Sequence, residues 1–233
     1  MKRSFFYLLA IGVFFAGASC SQSGSQKVKL ETSLDSVSYA IGALLAKNNQ
    51  EQLKTLPGEK EINREIMAAA LSTVFANGDI LISDEEANEL INNFVDQSRK
   101  KVAQKNLEEG NAFLEKNKAR EGVVTTESGL QYEIITEGTG PKPTADDDVR
   151  VHYHGTLIDG TVFDSSVDRG EPVVFGVSQV ISGWREALQL MPVGSKWKIY
   201  IPANLAYGEN GAGNDIGPNA VIIFEVELLE IVK

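Results

Sequence analysis

Residues 151–164 read as a β-hairpin that ends by placing an aromatic ring, Phe163, beside a carboxylate, Asp164. Further aromatic residues stand on either side, Tyr153 before them and Trp184, Tyr207 and Phe224 after. Tyrosine and tryptophan pair a large apolar body with one polar tip, so a cluster of them makes an apolar surface carrying a few hydrogen-bonding groups. The reagents of other chemistries are missing from the pattern. There is no Ser-His-Asp arrangement, no glycine-rich phosphate loop, and no cysteine besides Cys20. His152 and His154 are the only histidines, and strand alternation puts both on one face. Two such ligands, without cysteine or further histidine, fall short of a zinc site, so they read as an outward pair. Asp146-Asp147-Asp148 reads as a solvated turn rather than a calcium site. No cofactor and no metal are expected.

The elements that must position these residues are short strands and turns. Val149, Val151 and Tyr153 alternate with Arg150, His152 and His154, the period-two signal of a half-buried strand. Asp159-Gly160 is a hairpin turn, which places Phe163 and Asp164 on the return strand. Strands are expected over Arg150–Leu157, Thr161–Ser165, Lys196–Ile201 and Ala220–Ile231, with another opening at Ser128 and a turn at Gly138-Thr139-Gly140-Pro141. Trp184 to Leu188 suits one short helix, stopped by Met191-Pro192. The expected architecture for residues 123–233 is α+β, an antiparallel sheet wrapped around one short helix.

Residues 33–122 have a different character, with helical spacing, few prolines and few aromatics. Leu34, Val37, Ile41 and Leu44 share one helix face, as do Ile62, Ile66, Ala69 and Thr73, and Asn77-Gly78 stops the second helix. Ser83 followed by Glu86 is a capping-box pattern. From there a long connecting helix is expected to about Lys118, with Leu90, Ile91, Phe94 and Val95 on its apolar face and Gly110 as a mild weak point. Glu121-Gly122 closes the region. This all-α domain has a small core, and small cores are marginal alone. Its stripes at 34–76 could be buried against a second copy, giving a homodimer, or the region could be a monomeric three-helix spacer.

Lys2 and Arg3 precede an apolar run from Phe5 to Ala18 that ends in small residues before Cys20. This is the layout of a secretory signal over residues 1–19, too short for a membrane span. The lone Cys20 at that point reads as the acylated residue of a bacterial lipoprotein, although Gly17 stands where such signals usually have leucine. Ser21 follows the cysteine with no acidic cluster close behind. By resemblance to Gram-negative lipoproteins this implies the outer membrane, facing the periplasm. Residues 20–32, rich in Ser, Gln, Gly and Lys, read as the lipidated cysteine and a flexible tether. The net charge is −10. An acidic chain without a basic stripe argues against nucleic acid as a partner.

The stretch Val151-His-Tyr-His-Gly-Thr-Leu-Ile-Asp-Gly-Thr-Val-Phe-Asp164 is followed in order by Val180-Ile181-Ser182-Gly183-Trp184, Ala206-Tyr207-Gly208 and Phe224-Glu225-Val226-Glu227-Leu228-Leu229. Together these resemble the catalytic domain of the FKBP-type peptidyl-prolyl cis–trans isomerases. Val37-Ser38-Tyr39-Ala40-Ile41-Gly42 resembles the start of the dimerisation domain of the macrophage infectivity potentiator type. The resemblance implies a role for each residue. Trp184 is the floor under the substrate proline, and Tyr153, Phe163 and Phe224 are walls. Val180 and Ile181 form an edge whose backbone N–H binds substrate, and Tyr207 offers its hydroxyl to a substrate carbonyl. Ile216 lies on an overhanging loop. Phe175 is close to Val173, which stands where many members have a phenylalanine wall. Asp164 either touches substrate or is an internal acceptor that orders the loops, and the aromatics, Phe224 above all, could instead be plain core. Ala212, Asp215 and Gly217-Pro218 depart from common loop residues. The implied activity is isomerisation of Xaa-Pro bonds in extracytoplasmic proteins. The alternative is a non-catalytic module that holds unfolded envelope proteins.

Overall fold

The computed structural model describes residues 28–232, so the expected signal, Cys20 and most of the tether lie outside the described residues. The chain divides after Asn49. The first described unit holds most of α1 (Ser33–Lys54). Thr32 and Asp35 start this helix with a reciprocal cap. The Asp35 N–H donates to Thr32 Oγ1 at 3.1 Å, and the Thr32 N–H donates to Asp35 Oδ2 at 2.8 Å. Leu34, Val37, Ile41 and Leu44 fall on α1 as the spacing requires, and all four are exposed.

The second unit continues with α2 (Arg64–Phe75) and α3 (Asp84–Asn117). Asn63 caps α2 by accepting from the backbone N–H groups of Glu65 and Ile66. After α2 the chain reverses at Asn77, whose φ of 53° is tolerated by asparagine. Ser83 Oγ accepts from the Glu86 N–H at 3.2 Å, as the capping pattern predicts. Helix α3 then runs 34 residues, about 50 Å at 1.5 Å per residue. Among the described residues no helix is long and apolar enough to cross a membrane.

Gly110 is not a weak point of α3. It is buried, and a Cβ there would stand 2.7 Å from Val221 Cγ2. The glycine lets the helix approach the sheet domain closely, which outweighs its modest helix penalty. Polar anchors flank that contact. Asn106 donates to the Pro218 carbonyl at 2.8 Å, Asn117 donates to Gln131 Oε1 at 2.9 Å, and Gln131 donates to the Leu114 carbonyl at 3.0 Å. Arg120 donates to the Tyr200 hydroxyl at 2.9 Å and to Glu133 at 3.0 Å.

The strands are β1 (Val123–Thr125), β2 (Gln131–Thr136), β3 (Asp148–Leu157), β4 (Val162–Ser165), β5 (Val173–Gly176), β6 (Lys196–Ile201) and β7 (Ile222–Val232). All pairings are antiparallel, in the order β1-β2-β6-β7-β3-β4, with β5 also on β3. Val149, Val151, Tyr153 and Gly155 of β3 point inward, and Arg150, His152 and His154 outward, as alternation predicts. A bulge between Arg150 and Val151 shifts the register against β7. It keeps the inward rows aligned with Leu228, Val226 and Phe224. Two short strands, β1 and β5, were not anticipated.

The short helix expected at Trp184–Leu188 is α5 (Ser182–Leu190), preceded by a single turn, α4 (Ser166–Arg169). Gly183, Trp184, Ala187 and Leu188 form its buried face. They pack on Val149, Val151, Ile199, Ile201, Val226 and Leu228 of the sheet. Gly183 permits this: its Cβ would lie 2.5 Å from Ile201 Cγ2.

Candidate active site

The site is built outward from β3. Its alternation turns Tyr153 into the domain, and buried Ser166 holds the backbone there. The Tyr153 N–H donates to Ser166 Oγ at 2.7 Å, and that hydroxyl donates to the Tyr153 carbonyl at 3.2 Å. Two residues on, Gly155 leaves room for rings. A Cβ there would meet Phe163 and Phe224 carbons at 2.7 Å. Phe224 comes from the neighbouring strand β7, directly opposite Gly155.

Trp184, from the first turn of α5, lies beneath. Three rings stand nearly perpendicular to its indole: Tyr153 at 5.6 Å, Phe175 at 5.7 Å and Phe224 at 5.1 Å between centroids. Edge-to-face packing of this kind suits the ring quadrupoles and fixes the indole plane. Above it opens a cavity of about 390 Å³, lined by Tyr153, Asp164, Phe175, Gln179, Val180, Ile181, Trp184, Tyr207 and Phe224.

Eight of the site residues expected from sequence therefore meet in one cavity, and two do not. Phe163 stands behind the wall, packed edge-on against Phe224 at 5.3 Å, so it supports a lining ring rather than lining the cavity. Ile216 is buried and bridged to Ala212 by paired backbone bonds of 2.8 and 3.1 Å. It lines a groove with Val102, Gly217 and Pro218 and belongs to the same buried cluster as Tyr153, Trp184 and Phe224. Gln179 lines the cavity without having been singled out, because a polar residue before an apolar pair carries no pattern of its own.

One side of the cavity is an ionic cluster. The Tyr153 hydroxyl donates to Asp164 Oδ2 at 2.5 Å. Arg169 donates to Asp164 Oδ1 and, at 2.8 Å, to the Tyr153 hydroxyl oxygen. Its guanidinium also lies 5.6 Å from the Tyr153 ring centroid. Arg169 was missed because a lone arginine in a turn has no sequence signature. Only the fold of α4 brings it back to Asp164. Both oxygens of Asp164 thus have protein partners. Burial works to raise its carboxyl, but the bonds from Tyr153 and Arg169, with the guanidinium charge, outweigh this and hold it below the usual carboxylate range. Burial, with the bond to Asp164, pushes the Tyr153 phenol up.

Because the folded value of Asp164 is depressed, its contribution is present above the ordinary carboxylate range and is lost as pH falls through the lower folded value. Activity should therefore stay level from neutral pH down to about pH 4.5, given an ordinary aspartate near 3.9. An activity loss centred above pH 5 would show that the cluster does not hold Asp164 ionised.

Tyr207 and Ile181 each leave a donor free to bond a ligand. Tyr207 is 38% exposed, and its hydroxyl has no protein partner among the described residues. Burial of its ring raises the phenol, as does the nearby Asp164 charge, so it stays a hydrogen-bond donor. The Ile181 N–H precedes α5 and likewise finds no partner among the described residues. The indole Nε1 of Trp184 is buried without a partner. The two histidines point away, His152 toward Ser166 Oγ at 3.1 Å and His154 toward Ser165 Oγ at 2.9 Å.

Comparison with known proteins agrees with this geometry. Residues 140–229 match the family of FKBP-type peptidyl-prolyl cis-trans isomerases, and residues 34–134 match the domain found amino-terminal to such isomerases. The chain is 40% identical over 233 residues to the outer membrane protein MIP of Legionella longbeachae, covering 97% of each chain. It is 59% identical over 136 residues to the FKBP-type 22 kDa peptidyl-prolyl cis-trans isomerase of Escherichia coli K12, covering 58% of this chain and 66% of that one. The crystal structure of FkpA from Escherichia coli superposes with a TM-score of 0.67 at 35% identity, over 87% of this chain and 98% of that one.

Proposed function

The chain belongs to the FKBP-type peptidyl-prolyl cis–trans isomerases and has their activity, and on that premise we propose how it works and where. The barrier to prolyl isomerisation is amide resonance, about 18–20 kcal/mol. A twisted amide is less polarised than a planar one, so an apolar, water-poor site favours it. The proline ring sits on the Trp184 indole between Tyr153, Phe175 and Phe224. Ile181 N–H and the Tyr207 hydroxyl take the flanking carbonyls, with Val180 and Gln179 along the edge. Asp164, with both oxygens engaged, orders Tyr153 rather than touching substrate. Phe163 acts through Phe224. The cavity itself carries the reading: aromatic on three sides, with two unpartnered donors at its mouth.

The Tyr207 hydroxyl is the sharpest test. Tyr207→Phe keeps the ring and removes one hydrogen bond, about 1 kcal/mol and so roughly a fivefold loss in kcat/KM on Xaa-Pro tetrapeptides. The unfolding midpoint should not move. Unchanged kcat/KM would take the substrate bond away from Tyr207.

Beyond the reaction, the protein acts in the cell envelope on proline-containing extracytoplasmic proteins, anchored by acylation of Cys20 after removal of residues 1–19. The lipoprotein layout of the N-terminus and the name of the Legionella relative support this. Residues 33–122 form a dimerisation domain and linker, and 123–233 the isomerase domain. Exposed apolar side chains support dimerisation: Val37, Ile41 and Leu44 on α1, and Ile66 and Phe75 on α2. Soluble monomers rarely leave such surface uncovered.

A further inference from the structure

The chain between β6 and β7 carries Tyr207 near one end and is fastened to α3 at the other. Asn106 of α3 donates from Nδ2 to the Pro218 carbonyl at 2.8 Å. Gly217 passes so close that a Cβ there would lie 2.9 Å from Asn106 Nδ2 and 3.6 Å from Val102 Cγ1. Asn219 sits in the left-handed region at φ 56°. Its backbone N–H donates to the Gly208 carbonyl at 2.8 Å, and its side-chain amide is turned to the Ala103 carbonyl at 3.5 Å. Val102, Asn106 and Gly110 recur every four residues, so they share one face of α3. Gly208 follows Tyr207 directly, and the phenol has no partner of its own to fix it. The position of that ring therefore depends on the loop, and the far arm of the loop rests on α3.

We propose that Asn106 is a positioning residue for the isomerase reaction. Its bond to Pro218, relayed by Asn219 to Gly208, holds the Tyr207 hydroxyl where it meets the substrate. This rests on the role given above to Tyr207. A purely structural role fits less well. The helix is already held at its C-terminal end by the buried Asn117–Gln131 pair and by Arg120 on Tyr200 and Glu133. The Asn106 bond lands instead on irregular chain, beside the bonds of Asn219 to Gly208 and Ala103.

Asn106→Ala in the full chain is the test. Alanine favours the helix, so the fold and the unfolding midpoint should be kept. KM for an Xaa-Pro tetrapeptide should rise about fivefold, the equivalent of one hydrogen bond, with kcat within about twofold. In a Tyr207→Phe background the same substitution should add nothing, because it acts through the missing hydroxyl. Gly217→Ala, whose methyl wedges the loop off Asn106, should raise KM in the same way. A normal KM in Asn106→Ala beside an impaired Tyr207→Phe would overturn the proposal. So would additive effects in the double variant, or an activity loss that only tracks a lowered unfolding midpoint. An unimpaired Tyr207→Phe would instead strike the role of Tyr207 itself.

Discussion

Trp184→Ala is expected to bring isomerisation of Xaa-Pro peptides close to the uncatalysed rate and to destabilise the domain by about 3–5 kcal/mol. The indole is 4% exposed and touches Tyr153, Phe175 and Phe224 edge-on, so its removal leaves a cavity that those rings can only partly fill. In the proposed reading it is also the floor on which the substrate proline sits. Stability and activity are separable by a second tryptophan. Trp197 is equally buried, stacks on Tyr132 at 4.3 Å, and lies outside the cavity. Trp197→Ala should cost a similar 3–5 kcal/mol in urea unfolding. Assayed well below its midpoint, it should keep kcat/KM within a few-fold of the parent, whereas Trp184→Ala should lose at least tenfold, about 1.4 kcal/mol of barrier or more. Equal activity in the two variants would mean that Trp184 is core and no more.

What the sequence made legible follows from which forces are local. The inward row Val149-Val151-Tyr153 is set by alternation, and the turn at Asp159-Gly160 by the left-handed conformation that Gly160 adopts at φ 88°. Those two local signals suffice to put Tyr153 beside Asp164. The start of α3 was legible for the same reason, since the Ser83 cap is a four-residue pattern. The features missed are those that no local pattern reports. Arg169 joins Asp164 only because α4 curls back, and Gly110 meets Val221 across more than a hundred residues. Gly110 on its own reads as a defect in a helix, and its reason becomes visible only from the strand it lets in. The setting of Ile216 was not legible because two backbone bonds between Ala212 and Ile216 fix it, and no side-chain pattern reports them. The strands β1 and β5 are three and four residues long, too short for a period to show.

The helical half should decide how the enzyme handles whole proteins rather than peptides. The soluble chain beginning at Ser21 is expected to sediment as a dimer, closed through residues 34–76. Ile41→Glu with Leu44→Glu puts two charges on the exposed apolar stripe of α1 without weakening the helix, because glutamate is a good helix former. Burying those carboxylates across an interface without partners costs several kcal/mol, so the variant should sediment as a monomer. Its kcat/KM on tetrapeptides should be unchanged, since every lining residue of the cavity lies beyond residue 150. Refolding of a proline-limited protein substrate should slow on the order of tenfold. A client held by the second copy re-encounters the cavity at an effective concentration near millimolar, and that gain disappears with the partner. A parent chain that is already monomeric would leave the helical half as a spacer, and so would a monomeric variant that refolds protein substrates at the parent rate. The same result would require another account of why Leu34, Val37, Ile41 and Leu44 line one face of α1 in contact with water.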